Sequence, residues 1–346
     1  EIFIALGDKM NNEKIKSIAV VVSGIDEEYQ STIISGINKC AIENNLNVSY
    51  FAAFGGMIEN KLFDVGEYSI YNFADFSKFD GVILMTNTIS DKTVKENVIK
   101  RVKKANIPTV ALDCDDYPEF YNITIDNTTA MREIVRHIIT EHNAKTINFI
   151  SGPLSNPDAR ERYESFLSVM QENGLFIDVK RIYFGELRSN DGKHAIDEFI
   201  KSGQSLPDAF ICANDAMALT AATSLKKYGY RIPEDVIITG FDFTYNARNF
   251  CPVLTSVKRP LFHAGYSACK NIVDILENNA PPKSAVLEAI PVFAESCGCT
   301  TESSDDFKEY KKRTYSKIEN TNANITTLNL LTARLAETET AEELFD

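Results

Sequence analysis

The sequence is poor in positive charge and has no long apolar run. Its 346 residues include 36 Lys and Arg against 49 Asp and Glu, which gives a formal net charge of −13. Contact with a phosphate backbone needs clustered Lys and Arg, and crossing a bilayer needs about 18 consecutive apolar residues. The chain also opens without a charged-then-apolar leader. We therefore expect no direct nucleic acid contact by this segment and no membrane contact.

Motifs typical of enzymes and metal centres are also missing. The sequence has no Walker loop, no HExxH, no nucleophile elbow and no four-ligand metal spacing. Its four histidines fall in separate segments, and His137 lies in a predicted helix beside apolar residues, where a packed or exposed ring is expected. Cys297-Gly-Cys299 is interpreted as a structural pair or, alternatively, a redox-sensitive pair, because zinc needs four ligands and no second pair follows. We expect a non-enzyme without a metal or a cofactor.

Length and cysteine content predict the organisation and the compartment. A chain of 346 residues can form two packed domains with an appendage, because single cores stop growing near ~250 residues. The hydrophobic content of 44% supports a folded chain. Seven cysteines are an odd number, and several lie in predicted apolar strands or helices, which indicates reduced thiols. A cytoplasmic location is therefore expected.

The stretch from Asp208 to Arg259 has the clearest pattern in the chain. Ala209 to Cys212 is a short apolar strand that stops at Asn214-Asp215, and an amphipathic helix follows. Val236 to Gly240 is a second buried strand, with Phe241-Asp242 at its carboxyl end. Parallel α/β sheets bind ligands at the carboxyl ends of their strands. The two polar turns therefore predict the wall of a pocket.

Three segments in this stretch, ANDAMAL, RIPEDVIITGFDF and LTSVKRP, closely resemble the effector-binding core of lactose-repressor-type regulators. The resemblance extends over roughly Ser17 to Ser296. It implies the type I periplasmic-binding-protein fold, an α/β architecture of two similar lobes with parallel sheets flanked by helices. It also implies a non-catalytic sensor that closes on a small effector, sugar-like or nucleoside-like.

The pattern of strands and helices divides the chain into two lobes joined by three crossings, which form a hinge. The predicted divisions are an N-terminal extension at 1–16, lobe one at 17–125 with 260–285, lobe two at 126–259 with 286–299, and a C-terminal signalling helix at 300–346. The last segment lacks Gly and Pro and carries a broken heptad, which predicts a weak coiled coil in a homodimer. A solvated terminal helix is the alternative.

Candidate ligand-binding residues share one position, because each follows a predicted strand or begins the next helix. Carboxylates accept hydrogen bonds from hydroxyls, Arg and Asn donate to them, and an aromatic face covers sugar C–H groups. Strand-end position selects Ser23, Tyr29 and Asn87, for which ordinary loop polarity is the alternative. The resemblance implies effector contacts for Asp113, Arg162, Asn214 and Asp242. For Arg162 and Asp242 the alternative is a salt bridge.

Two positions depart from the pattern of these regulators. Lys258-Arg259 stands where the family often has a polar amide, which predicts an anionic ligand or, alternatively, a charge on the hinge surface. Ser165 stands where Gly is usual. Both departures leave the identity of the ligand open.

The sequence supports three functional hypotheses. The leading one is a sensor that signals to an output domain beyond Asp346, such as a diguanylate cyclase or a histidine kinase, because the chain is acidic and ends in a predicted coil. The alternative is the ligand-binding core of a lactose-repressor-family transcription regulator whose DNA-binding headpiece lies upstream of Glu1. A solute-binding protein of a transporter is the third hypothesis, and it would need a leader peptide.

Overall fold

The described residues form two lobes, each built on a parallel sheet with helices on its faces. The computed structural model describes residues 15–25, 27–53, 66–113 and 117–300. The predicted coil at 300–346, apart from residue 300, and most of the predicted N-terminal extension therefore lie outside the described residues. Within the described part of the chain, no helix is both long enough and apolar enough to span a membrane.

The first lobe contains a six-stranded sheet in which all neighbouring strands are parallel. Its strands are β1 (Ser17–Ser23), β2 (Asn47–Ala53), β3 (Gly81–Leu84), β4 (Thr109–Leu112), β5 (Tyr121–Ile125) and β11 (Ser284–Leu287). Their spatial order is β11-β5-β4-β3-β1-β2. The strands in the middle of the sheet are buried on both faces, which explains why they appear in the sequence as continuous apolar runs.

The second lobe contains a four-stranded parallel sheet and lies beside a small antiparallel ribbon. The sheet has the order β7-β6-β8-β9, and the ribbon pairs β10 with β12. The strands are β6 (Ile147–Ser151), β7 (Ile182–Phe184), β8 (Ala209–Cys212), β9 (Ile237–Thr239), β10 (Ser256–Lys258) and β12 (Ile290–Val292).

Helices cover both sheets, and most begin directly after a strand. They are α1 (Glu28–Glu43), α2 (Lys92–Ala105), α3 (Asn127–Thr140), α4 (Pro157–Glu172), α5 (Ser189–Ser202), α6 (Asp215–Lys227), α7 (Tyr245–Asn249) and α8 (Leu261–Leu276). Asp126, Asn156 and Asn214 cap α3, α4 and α6 by accepting a hydrogen bond from a backbone N–H of the first turn. These caps hold the first turns of the helices beside the strand ends.

The chain passes between the lobes three times. After β5 in the first sheet, α3 packs on α4 of the second lobe. After β10, α8 returns and packs along α1. The close approach of α1 and α8 needs glycine, because a Cβ on Gly36 would lie 2.0 Å from the carbonyl oxygen of Phe262 and a Cβ on Gly265 would lie 2.0 Å from that of Ile33. Finally, β11 lies in the first sheet and β12 pairs with β10.

The predicted fold class is confirmed, and β8 has the predicted bounds, Ala209–Cys212. The predicted residue boundaries between the lobes stay predictions. Helix α5 was missed by the sequence analysis, although Ala195, Ile196 and Phe199 are buried at helical spacing. Helix α7 was missed as well, because its five residues follow the polar turn that was interpreted as a loop.

Candidate ligand-binding cleft

A cavity of about 820 Å³ lies between the two lobes, at the carboxyl ends of strands from both sheets. Tyr29 and Asn87 line it from the first lobe, and Arg162 and Asp242 line it from the second. Small-molecule sites typically enclose about 300–1,000 Å³. The cavity therefore has room for a ligand of the size of a sugar or a nucleoside.

The first-lobe wall is a chain of hydrogen bonds that starts at Asp113. This residue follows β4 and adopts a positive φ of 46°, and its Oδ1 accepts a hydrogen bond from the backbone N of Ile125 at 3.2 Å. The Tyr29 hydroxyl, in the first turn of α1, donates to Asp113 Oδ2 at 2.6 Å. Asn87 Nδ2, in a 3-10 turn after β3, donates to the Tyr29 oxygen at 3.0 Å. The bonds fix the orientation of Tyr29 and Asn87 at the cavity.

The second-lobe wall is dominated by Arg162, which lies on α4 and is 2% exposed. Its Nε and Nη2 donate to Asn127 Oδ1 at 3.0 and 2.8 Å, and its Nη1 donates to the Ala213 carbonyl at 2.7 Å. The guanidinium carbon lies 4.0 Å from the centroid of the Phe241 ring. Arg162 Nη2 also lies 3.5 Å from Asp158 Oδ2. These contacts hold the guanidinium plane in one position, and one further N–H donor on Nη1 remains for another partner.

Asn214 has a double role at the same wall. Its Oδ1 accepts a hydrogen bond from the backbone N of Met217 at 2.9 Å, which caps α6, and its Nδ2 donates to the carbonyl of Leu187 at 2.9 Å. The side chain thereby joins the loop after β7 to the start of α6. Both polar atoms of the Asn214 side chain are therefore already hydrogen-bonded within the protein.

Arg259 stands at the centre of the site, where β10 leads into α8. Its side chain is 1% exposed and contacts carboxylates from both lobes. Nη2 lies 2.6 Å from Asp113 Oδ2 and 3.3 Å from Asp158 Oδ2, and Nη1 lies 3.1 Å from Asp242 Oδ1. An arginine buried to this degree is stable only when its charge is compensated by such partners.

The charges of the buried cluster nearly cancel. Asp113, Asp158 and Asp242 contribute three negative charges, and Arg162 and Arg259 contribute two positive ones, so the cluster is −1 when all are ionised. Burial raises the pKa of Asp113 to about 6, with Asp158 adding to the effect and Arg259 opposing it. Burial also raises the pKa of Asp242, although both arginines favour its charged form. The cluster therefore has no spare positive charge for an anion.

The lobes touch on both sides of the cavity. The Glu28 carboxylate of the first lobe accepts hydrogen bonds from the backbone N of Tyr245 and, at 3.3 Å, of Asn246 in the second lobe. On the other side, Asn156 Nδ2 donates to the Asn87 carbonyl at 2.9 Å. Together with Arg259, these contacts hold the lobes closed over the cavity.

Five of the seven predicted site residues line the cavity, and two lie behind its wall. The lining residues are Tyr29, Asn87, Arg162, Asn214 and Asp242. Asp113 is buried beneath Tyr29 and acts through it and through Arg259. Ser23 is fully buried, and its backbone N donates to Thr88 Oγ1 at 2.9 Å. Ser23 and Asp113 therefore support the loops that carry the lining residues.

Two central residues of the cluster were not predicted as site residues. Asp158 follows β6 by seven residues and has no motif of its own, although it lies one turn before Arg162 on α4. Arg259 was considered a charge on the hinge surface, and that alternative is wrong because the side chain is 1% exposed. The neighbouring Lys258 is the exposed member of the pair. The sequence signal that could have identified Arg259 as a site residue is a basic residue directly after a strand.

Comparisons with known proteins agree with this architecture. The profile of the periplasmic binding protein-like domain matches residues 135–297. The HTH-type transcriptional regulator RegA of Clostridium acetobutylicum is 26% identical over 295 residues, which cover 83% of this chain and 84% of the relative. The HTH-type transcriptional repressor CytR of Escherichia coli K12 is 26% identical over 276 residues, 79% of this chain and 76% of the relative. Residues 135–297 thus match a periplasmic binding protein-like domain, and most of the chain is similar to lactose-repressor-type regulators.

Solved structures show the same fold. This chain superposes on the transcriptional regulator CelR in complex with cellobiose with a TM-score of 0.69, at 24% identity over 81% of this chain and 84% of that one. It superposes on the Lac repressor dimer bound to operator and the anti-inducer ONPF with a TM-score of 0.68, at 19% identity over 82% and 95% of the two chains. The curated relatives are transcription regulators, so the comparisons favour that alternative over the expected cyclase or kinase output.

Proposed function

We propose that this chain is the effector-binding core of a transcription regulator and that its effector is a small, neutral, hydroxyl-rich molecule such as a sugar or a nucleoside. The main support is the closed cavity between the lobes, lined by side chains that offer both donors and acceptors. A polyol matches this lining best, because its hydroxyl groups both donate and accept hydrogen bonds. The cellobiose complex of a structural relative is in line with this class of ligand.

Two lining residues have polar atoms that the protein itself does not satisfy. Asn87 Oδ1 and Arg259 Nε are buried and have no hydrogen-bond partner among the described residues. A buried polar atom without a partner costs about 1–3 kcal/mol, and neither atom is accessible from the cavity in this conformation, so a ligand recovers this energy only when the two side chains turn toward it. One acceptor and one donor that turn to the cavity in this way match a hydroxyl-bearing ligand.

The charge of the site favours a neutral ligand over a phosphorylated one. Arg259 is surrounded by Asp113, Asp158 and Asp242, so its charge is already used within the protein. A phosphate would have to displace one of these carboxylates or bind Lys92, Lys95 or Arg188 elsewhere on the lining, where Glu27, Glu28, Glu96 and Glu186 also lie. The anionic ligand that Lys258-Arg259 suggested in the sequence is therefore not favoured by the geometry.

Signal transfer in this proposal follows from the hinge. The closed arrangement joins the lobes through Glu28, Asn156 and Arg259, and a ligand that contacts both lobes binds this state more tightly than an open one. Only such differential binding shifts an equilibrium between conformations. We further propose a cytoplasmic homodimer that makes no DNA contact through these residues, in keeping with the free cysteines of the described chain and the net charge of −13.

A thermal-shift screen tests the proposed ligand class. Neutral sugars, nucleosides, sugar phosphates and amino acids are each added to the purified chain, and the melting temperature is recorded. A ligand present at about 100 times its Kd stabilises the folded state by about 2.7 kcal/mol. We expect neutral sugars or nucleosides to raise the melting temperature and their phosphorylated forms to raise it less.

Paired aspartate variants locate the binding site. Asp242→Asn should abolish the ligand-induced shift, whereas Asp75→Asn, the same change at a carboxylate 53% exposed in the first lobe, should leave it intact. In the intact regulator, the ligand should alter operator binding at concentrations that stabilise this chain. A ligand whose effect survives Asp242→Asn, or the absence of any hit among the neutral classes, would contradict the proposal.

A further inference from the structure

Four potential metal ligands meet on the second lobe, outside the ligand-binding cleft. His137 lies in the last turn of α3 and His142 follows that helix, while Cys297 and Cys299 lie in the final turn of the described chain. One ligand atom from each of the four lies within 4.8 Å of each of the others. The expectation that the histidines are dispersed is therefore wrong for this pair, and the second ligand pair precedes the cysteines in the sequence instead of following them.

The distances within the cluster match a tetrahedral centre. The two Nε2 atoms are 3.1 Å apart, and Cys299 Sγ lies 3.3 Å from His137 Nε2 and 3.6 Å from His142 Nε2. Cys297 Sγ lies 3.8 Å from His137 Nε2. With zinc–nitrogen bonds of about 2.05 Å and zinc–sulfur bonds of about 2.3 Å, the edges of a tetrahedron are about 3.3 Å for N–N and about 3.6 Å for N–S. One ion fits between the four atoms with little movement.

Local structure positions both the cysteine pair and His137 of the cluster. Gly298 has a φ of 97°, a conformation that glycine adopts without strain, and the resulting turn brings both flanking cysteines to the same side. The Phe293 ring stacks on the His137 ring at 3.7 Å between centroids, with 17° between the planes. This packing fixes the imidazole orientation that points Nε2 at the cysteines.

The alternatives leave part of this arrangement unexplained. A Cys297–Cys299 disulfide would need neither histidine, yet both rings direct Nε2 at the sulfurs. A hydrogen bond between the His137 and His142 rings would explain the contact between their Nε2 atoms. It would not explain why the two sulfur atoms lie beside the same nitrogens. Two thiolates and two imidazoles form a closed Cys₂His₂ set, which is typical of structural zinc and leaves no open position for catalysis.

We infer that His137, His142, Cys297 and Cys299 bind one structural zinc ion. On binding, the two thiols give up their protons to solvent and coordinate as thiolates. The ion links residues about 155 to 160 positions apart in the chain. Ser296, between the ligands and the body of the lobe, already bonds to Thr255 and Ile238 of the second lobe. The zinc would thus fix the last described turn, from which the chain continues to residue 346, onto the second lobe.

Metal content of the whole chain tests this inference. The protein is purified under reducing conditions without chelator, and the number of zinc ions per chain is measured by elemental mass spectrometry. We expect a single zinc ion per chain in the wild type, and its loss in Cys299→Ser and His142→Asn. Cys251→Ser and His263→Asn, which remove the same groups outside the cluster, should keep the full content. Circular dichroism confirms that each variant is folded.

Cobalt binding by the wild type gives a second readout that needs no variant. Added Co²⁺ should produce the visible absorption of a tetrahedral complex together with thiolate-to-metal charge transfer, and zinc should displace it. Chelation of zinc should lower the melting temperature of the wild type and leave that of Cys299→Ser unchanged. Equal zinc in cluster and control variants, a cobalt complex without thiolate bands, or reduced protein that binds neither ion would overturn the inference. None of these results bears on effector binding in the cleft.

Discussion

Replacing Arg259 with methionine removes the cation that three buried carboxylates share. Methionine keeps much of the apolar volume, but Asp113 and Asp242 lose their closest positive charge, at 2.6 and 3.1 Å. Removing one partner from a buried ion pair typically costs about 3–5 kcal/mol. Protonation of Asp113, whose pKa is about 6, limits the cost at this residue to about 1.4 kcal/mol at pH 7, and Asp158 and Asp242 lose the same cation. We expect the free energy of unfolding at pH 7 to fall by about 3–5 kcal/mol.

The size of this loss should depend on pH with a defined sign. The pKa of Asp113 is already raised to about 6 by burial, and it rises further without Arg259. The folded variant then binds a proton at neutral pH that the unfolded chain does not bind. Its stability therefore increases as the pH falls, by about 1.4 kcal/mol per pH unit. The wild type binds this proton only near and below pH 6, so the difference between the two proteins is largest at pH 8 and shrinks toward pH 6.

Urea unfolding followed by circular dichroism at pH 6, 7 and 8 measures the difference. Lys258→Met is the matched control, because it removes the same charge from the preceding, exposed position and should change stability by no more than about 0.5 kcal/mol. An Arg259→Met variant as stable as this control would refute the role assigned to the buried cluster. So would a loss of stability that is the same at all three pH values.

Three further predictions concern packing, ligand affinity and pH. Gly265→Ala should destabilise the chain by about 1–3 kcal/mol, because the new Cβ would lie 2.0 Å from the Ile33 carbonyl; thermal melts should show no such loss for Gly66→Ala, where a Cβ meets nothing within 4 Å. Asn87→Ala should weaken effector binding about tenfold in calorimetry, because the Tyr29 hydroxyl at the cavity wall loses the hydrogen bond from Asn87 Nδ2, and melt within a few degrees of the wild type. Burial and a nearby carboxylate raise the pKa of Asp215 to about 8, so wild-type stability should decrease from pH 6 to pH 8.5 in melts, and less steeply in Asp215→Asn.

The strands and their polar ends could be predicted from the sequence because parallel strands buried on both faces appear as unbroken apolar runs. The apolar run at 209–212 and the Asn214 that follows it illustrate this, since burial sets the first and helix capping the second. Both effects act within a few residues of the chain. The helix α5 was missed although its apolar spacing carries the same kind of local signal.

The centre of the cleft could not be predicted in the same way, because its contacts join distant parts of the chain. Arg259 meets Asp113 across 146 positions and Asp158 across 101, and local pattern contains no information on such pairs. The cysteines and histidines of the proposed zinc site are about as far apart. Sequence motifs identify metal sites whose ligands are close together in the chain. In the proposed zinc site, the two histidines lie near the start of the second lobe and the two cysteines near its end.

The most direct measurement is a crystal structure of this chain with a neutral ligand found in the thermal-shift screen. The ligand should lie between the lobes, with hydroxyl groups within about 3.2 Å of Asn87, Arg162 and Asp242, and the Arg259 guanidinium should keep its carboxylate partners. A ligand bound elsewhere on the lobes, or one that reaches Arg259 through a negatively charged group, would contradict the proposal of a neutral effector in this cleft.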